Sequence, residues 1–146
     1  MAKHVYCRYS LEIEVPFFDV DAMQIVWHGH YVKYLEMARC AFLSAIQYDY
    51  REMGVQGFSW PIVQLHVKYV KPAVFGQKIR VDLAVVEIES CLRIDYTLVD
   101  VASGAKLTQA STTQVAVSLA TGEMQFQTPD SWLNAIRAYP DFQALD

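Results

Sequence analysis

No block of lysine or arginine occurs in this chain of 146 residues, whose 12 basic and 16 acidic side chains are dispersed to a net charge of −4. Nucleic-acid binding rests on a concentrated cationic surface, so a polynucleotide partner is disfavoured. No apolar run approaches the length that spans a bilayer, and the opening residues Met1 to Arg8 lack the apolar stretch of a signal peptide. The expectation is a soluble cytoplasmic protein with no membrane insertion. Cysteine is sparse: Cys7, Cys40 and Cys91 are odd in number, far apart and without metal-ligand spacing. That usage suits a reducing compartment and free thiols that pack as small hydrophobes. Also missing are a phosphate-cradling loop, a dinucleotide fingerprint and a Gly-x-Ser-x-Gly elbow, so nothing points to an organic cofactor or a serine nucleophile.

Apolar side chains, by contrast, are plentiful. With 53% hydrophobic and 13% aromatic residues, the chain can close one core without disulfides or metals. It has apolar surface to spare, which another subunit would cover. No linker, repeat or low-complexity segment divides it, so residues 1–146 read as a single domain.

Period-two alternation marks residues 8–16 as a half-buried strand stopped by Pro16, with Tyr9, Leu11, Ile13 and Val15 on one face. Over about residues 30–47 the period changes. Tyr31, Tyr34, Leu35, Ala38, Phe42, Ala45 and Ile46 fall on one side of a helix, with Lys33, Glu36, Cys40, Ser44 and Gln47 on the other. A polar connector, Tyr48 to Gly57, leads back to alternation: Val63 to Tyr69, Ile79 to Val85, Leu92 to Leu98, and a long strand from about Ala105 to Ala120. The intervening breaks are short, as between antiparallel neighbours. Such a sheet must bury its apolar face, and one long helix is its only candidate cover. The fold class is therefore α+β, a curved antiparallel sheet wrapped around one central helix. The tail from Pro129 to Arg137 reads as a short amphipathic helix on the outside or on a partner.

One segment carries chemistry. Phe17-Phe18-Asp19-Val20-Asp21 leads through Trp27-His28-Gly29-His30-Tyr31 into the long helix, which places an acidic, aromatic-flanked loop just before a helix N-terminus. First-turn N–H groups without intrahelical partners can hold an oxyanion while a nearby carboxylate acts as base or nucleophile. On residue type alone, Asp21 serves a turn or a helix cap as well as it serves catalysis.

The run from Asp19-Val20-Asp21 through Val26-Trp27-His28-Gly29-His30-Tyr31 to Glu36-Met37-Ala38-Arg39 resembles the signature of the 4-hydroxybenzoyl-CoA thioesterase-like family, including its Tol-Pal-associated branch. Weaker similarities continue in Trp60-Pro61-Ile62-Val63, Tyr69-Val70-Lys71-Pro72-Ala73 and Ser111 to Val117. The resemblance implies the hotdog fold and a thioesterase that uses no cofactor. It makes Asp21 the catalytic carboxylate and puts the oxyanion N–H at His28, a histidine in that branch also. Three positions depart from the branch: Phe17 replaces a tyrosine, Gln24 a glycine and His30 an asparagine. The first two alter the pocket wall and so bear on substrate choice.

Asp19 matches no catalytic position and reads as a solvated loop acid. His28 and His30 lack a third ligand, because His4 and His66 have no motif spacing to them, so no metal site is expected. Phe17 and Trp27 suit core, dimer contact or pocket lining alike, and with Tyr31 they are the candidates to meet the acyl group. Glu36 and Arg39 form a local helical pair. Lys68 and Lys71 suit coenzyme A phosphates or a solvated strand edge equally.

The resulting expectation is hydrolysis of an acyl or aroyl thioester of coenzyme A or acyl carrier protein by a homodimer or homotetramer. Asp21 would be base or nucleophile, and His28 would mark the oxyanion site. A hotdog hydratase or dehydratase and a non-catalytic acyl-binding subunit are the alternatives.

Overall fold

Alternation in Cys7–Glu14 yields β1, whose apolar side chains turn inward and whose glutamates face water. The computed structural model describes residues 3–145. Residues 1, 2 and 146 of the expected domain lie outside the described residues. After one turn of 3-10 helix at Phe17–Asp19, the chain enters α1, His30–Ala45, then a short α2, Tyr50–Val55. The strands that follow are β2 (Phe58–Ser59), β3 (Ile62–Tyr69), β4 (Lys78–Glu87), β5 (Leu92–Asp100), β6 (Lys106–Gln114) and β7 (Val117–Ser118), and α3 (Asp130–Arg137) comes last.

Five strands form one antiparallel sheet in the order β1-β4-β5-β6-β3. Ile79, Val81, Leu83 and Val85 of β4 and Leu92, Ile94, Tyr96 and Leu98 of β5 are buried, and they join the inner side of α1 in one core. The helix is the cover that this apolar sheet face requires.

Four details differ from the sequence expectation. The buried side of α1 takes in Arg39 and Leu43, while Ala45 is exposed. Arg39 tolerates burial because its Nε donates to the Tyr50 hydroxyl at 3.0 Å, its Nη1 donates to the Tyr96 hydroxyl at 3.2 Å, and Glu36 pairs with its charge. The connector after α1 contains α2, capped by the Asp49 carboxylate, which accepts the Glu52 N–H at 2.9 Å. The expected long strand breaks after Gln114, and its continuation, β7, leaves the main sheet to pair with β2. Finally, α3 is not an outer decoration. Trp132 and Ile136 are fully buried, and the Trp132 indole N–H donates to the Ile88 carbonyl at 3.0 Å.

β3 stands apart energetically. It lies at the sheet edge, and Val63, Leu65 and Tyr69 are 53%, 46% and 48% exposed although they belong to an apolar alternation. Nothing among the described residues covers them.

Tyr96 also shares a 2.7 Å hydrogen bond with Thr112, so its hydroxyl links Arg39 to β6. Tyr96→Phe should destabilise the fold by about 1–3 kcal/mol, the cost of leaving buried polar groups short of a partner. The effect should appear as a lower denaturant midpoint at unchanged slope. A midpoint equal to the parent's would show that Glu36 and Tyr50 suffice for Arg39.

Candidate active site

Asp21 sits in a tight turn whose bonds are nearly all internal. Its N–H donates to the Ile25 carbonyl at 2.9 Å, its carbonyl accepts the Gln24 N–H at 2.9 Å, and its Oδ1 accepts the Met23 N–H at 2.8 Å. One carboxylate oxygen is thus committed to the turn, and Oδ2 has no hydrogen-bond partner among the described residues. The bridge Val20–Val26 closes the turn, while Val26 N–H to Ala73 carbonyl and the bridge Ile25–Val74 dock it on the β3–β4 connection.

Asp21, His28 and Tyr31 line one cavity of about 340 Å³, together with Met23, Ile25, Val26, Tyr69, Val70, Lys71 and Pro72. Two tyrosines hold its walls together. The Tyr69 hydroxyl donates to the His28 carbonyl at 2.7 Å, and the Tyr31 hydroxyl accepts the Ala73 N–H at 3.1 Å. Burial raises the Tyr31 phenol above its ordinary range, so it stays neutral. The N–H groups of His28 and Gly29 have no acceptor among the described residues, whereas that of His30 turns back to the Trp27 carbonyl at 2.9 Å. They are free donors at a helix N-terminus.

Phe17 lies on the other side of Asp21. It meets Phe75 edge to face, with centroids 5.7 Å apart, in a second cavity of about 680 Å³ formed with Val20, Ala22, Gln24 and Val74. Asp21 belongs to both cavities. Trp27 lines neither. Its ring packs over Gly29, where any Cβ would overlap it, and stands between His28 and His30 at centroid distances of 4.9 and 5.3 Å. Lys71 is on the first cavity's wall, whereas Lys68 lines a shallow depression with His66, Arg93 and Asp95.

Asp19 corrects the sequence expectation most sharply. It is 1% exposed, not solvated. Its Oδ1 accepts from Lys33 Nζ at 2.6 Å and its Oδ2 from the Tyr34 hydroxyl at 2.6 Å, with His30 Nε2 3.9 Å from Oδ1. Burial pushes its carboxyl pKa up, but the two hydrogen bonds and the charges of Lys33 and His30 together outweigh that and hold it below the ordinary range. Neither partner was visible from Asp19, because they lie 14 and 15 residues along the chain. Tyr69, likewise, reads only as a residue of an apolar strand face. The Tyr69-Val70-Lys71-Pro72-Ala73 similarity was the signal pointing to it. Among the described residues, no three His, Cys, Asp or Glu side chains are grouped to hold a metal ion.

The sequence model of the thioesterase-like superfamily matches residues 15–142. The chain belongs to the thioesterase-like superfamily. Within the superfamily it is similar to the putative acyl-CoA thioesterase YneP of Bacillus subtilis, 33% identical over 66 residues, a match covering 45% of this chain and 48% of that protein. The chain thus spans about half the length of that relative. It is 26% identical over 123 residues to a putative esterase of Synechocystis, sll0410, covering 83% of this chain and 74% of the other. The crystal structure of Slr0204, a 1,4-dihydroxy-2-naphthoyl-CoA thioesterase from Synechocystis, superposes with a TM-score of 0.81 at 22% identity, covering 90% of this chain and 96% of that one. That likeness shows the hotdog fold.

Two non-glycine residues among those described have positive φ, Gln47 after α1 and Gln24 in the turn beside Asp21. Gln24 has φ +65°, in the left-handed region that favours glycine. Relief of strain in the native turn opposes the extra freedom that glycine gives the unfolded chain, so Gln24→Gly should change stability by less than about 1 kcal/mol. The β-branched Gln24→Val should lose about 1–2 kcal/mol. Thermal unfolding of both variants tests this, and equal midpoints for the two would show that the backbone relaxes.

Proposed function

We propose that this protein hydrolyses acyl or aroyl thioesters, carried on coenzyme A or on an acyl carrier protein. The observation that carries the proposal is the shared cavity: Asp21, one of whose carboxylate oxygens has no hydrogen-bond partner among the described residues, lines the same space as His28, whose N–H has no acceptor among them. A thioester carbonyl placed there would meet a carboxylate on one side and the His28 and Gly29 N–H groups on the other. As the carbonyl carbon becomes tetrahedral, its oxygen gains charge and those N–H groups stabilise it at the positive end of α1. Asp21 either attacks the carbon itself or removes a proton from the attacking water. In the first route the C–S bond breaks, the thiolate takes a proton from solvent, and water then opens the mixed anhydride. In the second, hydroxide adds directly and the thiolate leaves. The names of the relatives, acyl-CoA thioesterase and esterase, support hydrolysis over hydration of a double bond.

Phe17 and Phe75 supply the apolar wall on one side of Asp21, while Tyr31 and Tyr69 supply aromatic edges on the other. We place the acyl group against one of these walls and the pantetheine arm along the other, where Lys71 is the available cation.

Two copies would pair along β3. An edge strand that exposes Val63, Leu65, Tyr69 and Val70 invites a symmetry mate, which would bury these side chains and complete its ladder.

Asp21→Asn keeps the turn acceptor but can neither attack nor take a proton. Turnover of a thioester panel, followed by free thiol release, should fall at least about 10²-fold in a protein whose circular dichroism is unchanged. Near-parental thiol release from folded Asp21→Asn would end the hypothesis, and interconversion of 2-enoyl thioesters without thiol release would favour a hydratase. Light scattering should give at least twice the mass of one chain, and Leu65→Asp should yield monomers of low activity. A fully active monomer on dilution would refute the pairing.

A further inference from the structure

The structure assigns Asp19 as the positioning residue of the site: its buried carboxylate holds the turn that carries Asp21 in register with the N-terminus of α1. This rests on the role proposed for Asp21. The bonds of the Asp21 turn are internal, or run to Ala73 and Val74 in the β3–β4 connection. None reaches α1, yet α1 begins at the N–H groups that must lie opposite the carboxylate. Asp19 spans that gap. Its side chain takes hydrogen bonds from Lys33 and Tyr34, both in the first turns of α1, and its carbonyl accepts the Trp27 N–H at 3.0 Å, one residue before His28. One residue therefore fastens the root of the Asp21 turn to the helix and to the chain segment that presents the oxyanion donors.

Stability alone is a poor reason for this arrangement: the Lys33 side chain is 42% exposed, so its half of the ion pair is screened by water, while burial of the Asp19 carboxylate costs desolvation. What the pair provides is geometry. Two short charge-assisted bonds to different oxygens fix both the place and the rotation of the carboxylate, as a greasy contact would not. Misplacement of a reacting group by about 1 Å is enough to cost roughly 10² in rate.

A role exercised through Asp21 has a distinctive signature in a double-mutant cycle. In the full chain, Asp19→Asn should lower kcat for thioester hydrolysis at least about tenfold with KM nearly unchanged, and should cause no further loss in an Asp21→Asn background. Amide hydrogen exchange at Met23 and Trp27 should quicken about tenfold, with the amides of β4 and β5 unaffected. Should Asp19→Asn fail to fold, Tyr34→Phe reads the same quantities, because it removes one hydrogen bond and leaves the Lys33 pair. A near-parental kcat, or an equal loss with and without the Asp21 carboxylate, would overturn the assignment. If the parent protein releases thiol from no thioester, the hydrolase proposal fails on its own. Exchange then decides: unchanged protection at Met23 and Trp27 would reject the positioning role, and faster exchange there would support it.

Discussion

Burial of one side of α1 under the five-stranded sheet is the constraint on which the rest depends. Once Tyr34, Leu35, Ala38, Phe42 and Leu43 are enclosed, the helix has little freedom to slide or rotate, because interiors packed to crystal density resist even small shifts. Its N-terminus is then delivered to one place, beside the β3–β4 connection. Tyr31 and Tyr69 fasten that junction from both sides, one by accepting the Ala73 N–H and the other by donating to the His28 carbonyl. The cavity beside Asp21 is a by-product of where the core obliges the helix to begin. The free N–H groups there follow from helix geometry rather than from any special side chain.

How much of this could be read from the sequence depended on the range of the interactions involved. β1, β4 and β5 were legible because each alternation is local and the structure buries the side it marks. The same rule overreached at Val115 and Ala116, where alternation continues but the chain has already left the main sheet. α2 has only six residues, too few to show a period. Arg39 reads from sequence only as half of a local pair with Glu36, because another of its partners, Tyr96, lies 57 residues away. Asp19 looked solvated for the same reason, with its partners more than a dozen residues further on. The family resemblance nominates Asp21 and His28, and residue type nominates Tyr31; the three share one cavity. Trp27 was nominated on type alone, and its ring is occupied over Gly29. Charged residues were misread wherever a distant partner, absent from the local pattern, decided their environment.

The uncovered strand and the candidate site are parts of one problem. Tyr69 lies at the end of β3, exposed at the sheet edge, and it is also the residue whose hydroxyl holds the His28 carbonyl and whose ring meets Tyr31 at 5.1 Å. Val70 and Lys71 extend the same edge into the cavity wall. Under the proposed pairing, a strand laid along β3 would therefore also lie beside the wall facing Asp21. A carboxylate acts best where water is excluded and the opposing dipoles cannot reorganise, conditions that a half-open surface cleft does not supply. The proposed pairing along β3 would cover the exposed Val63 and Leu65 and the open side of the cavity together, so that one association would serve both the proposed chemistry and the fold.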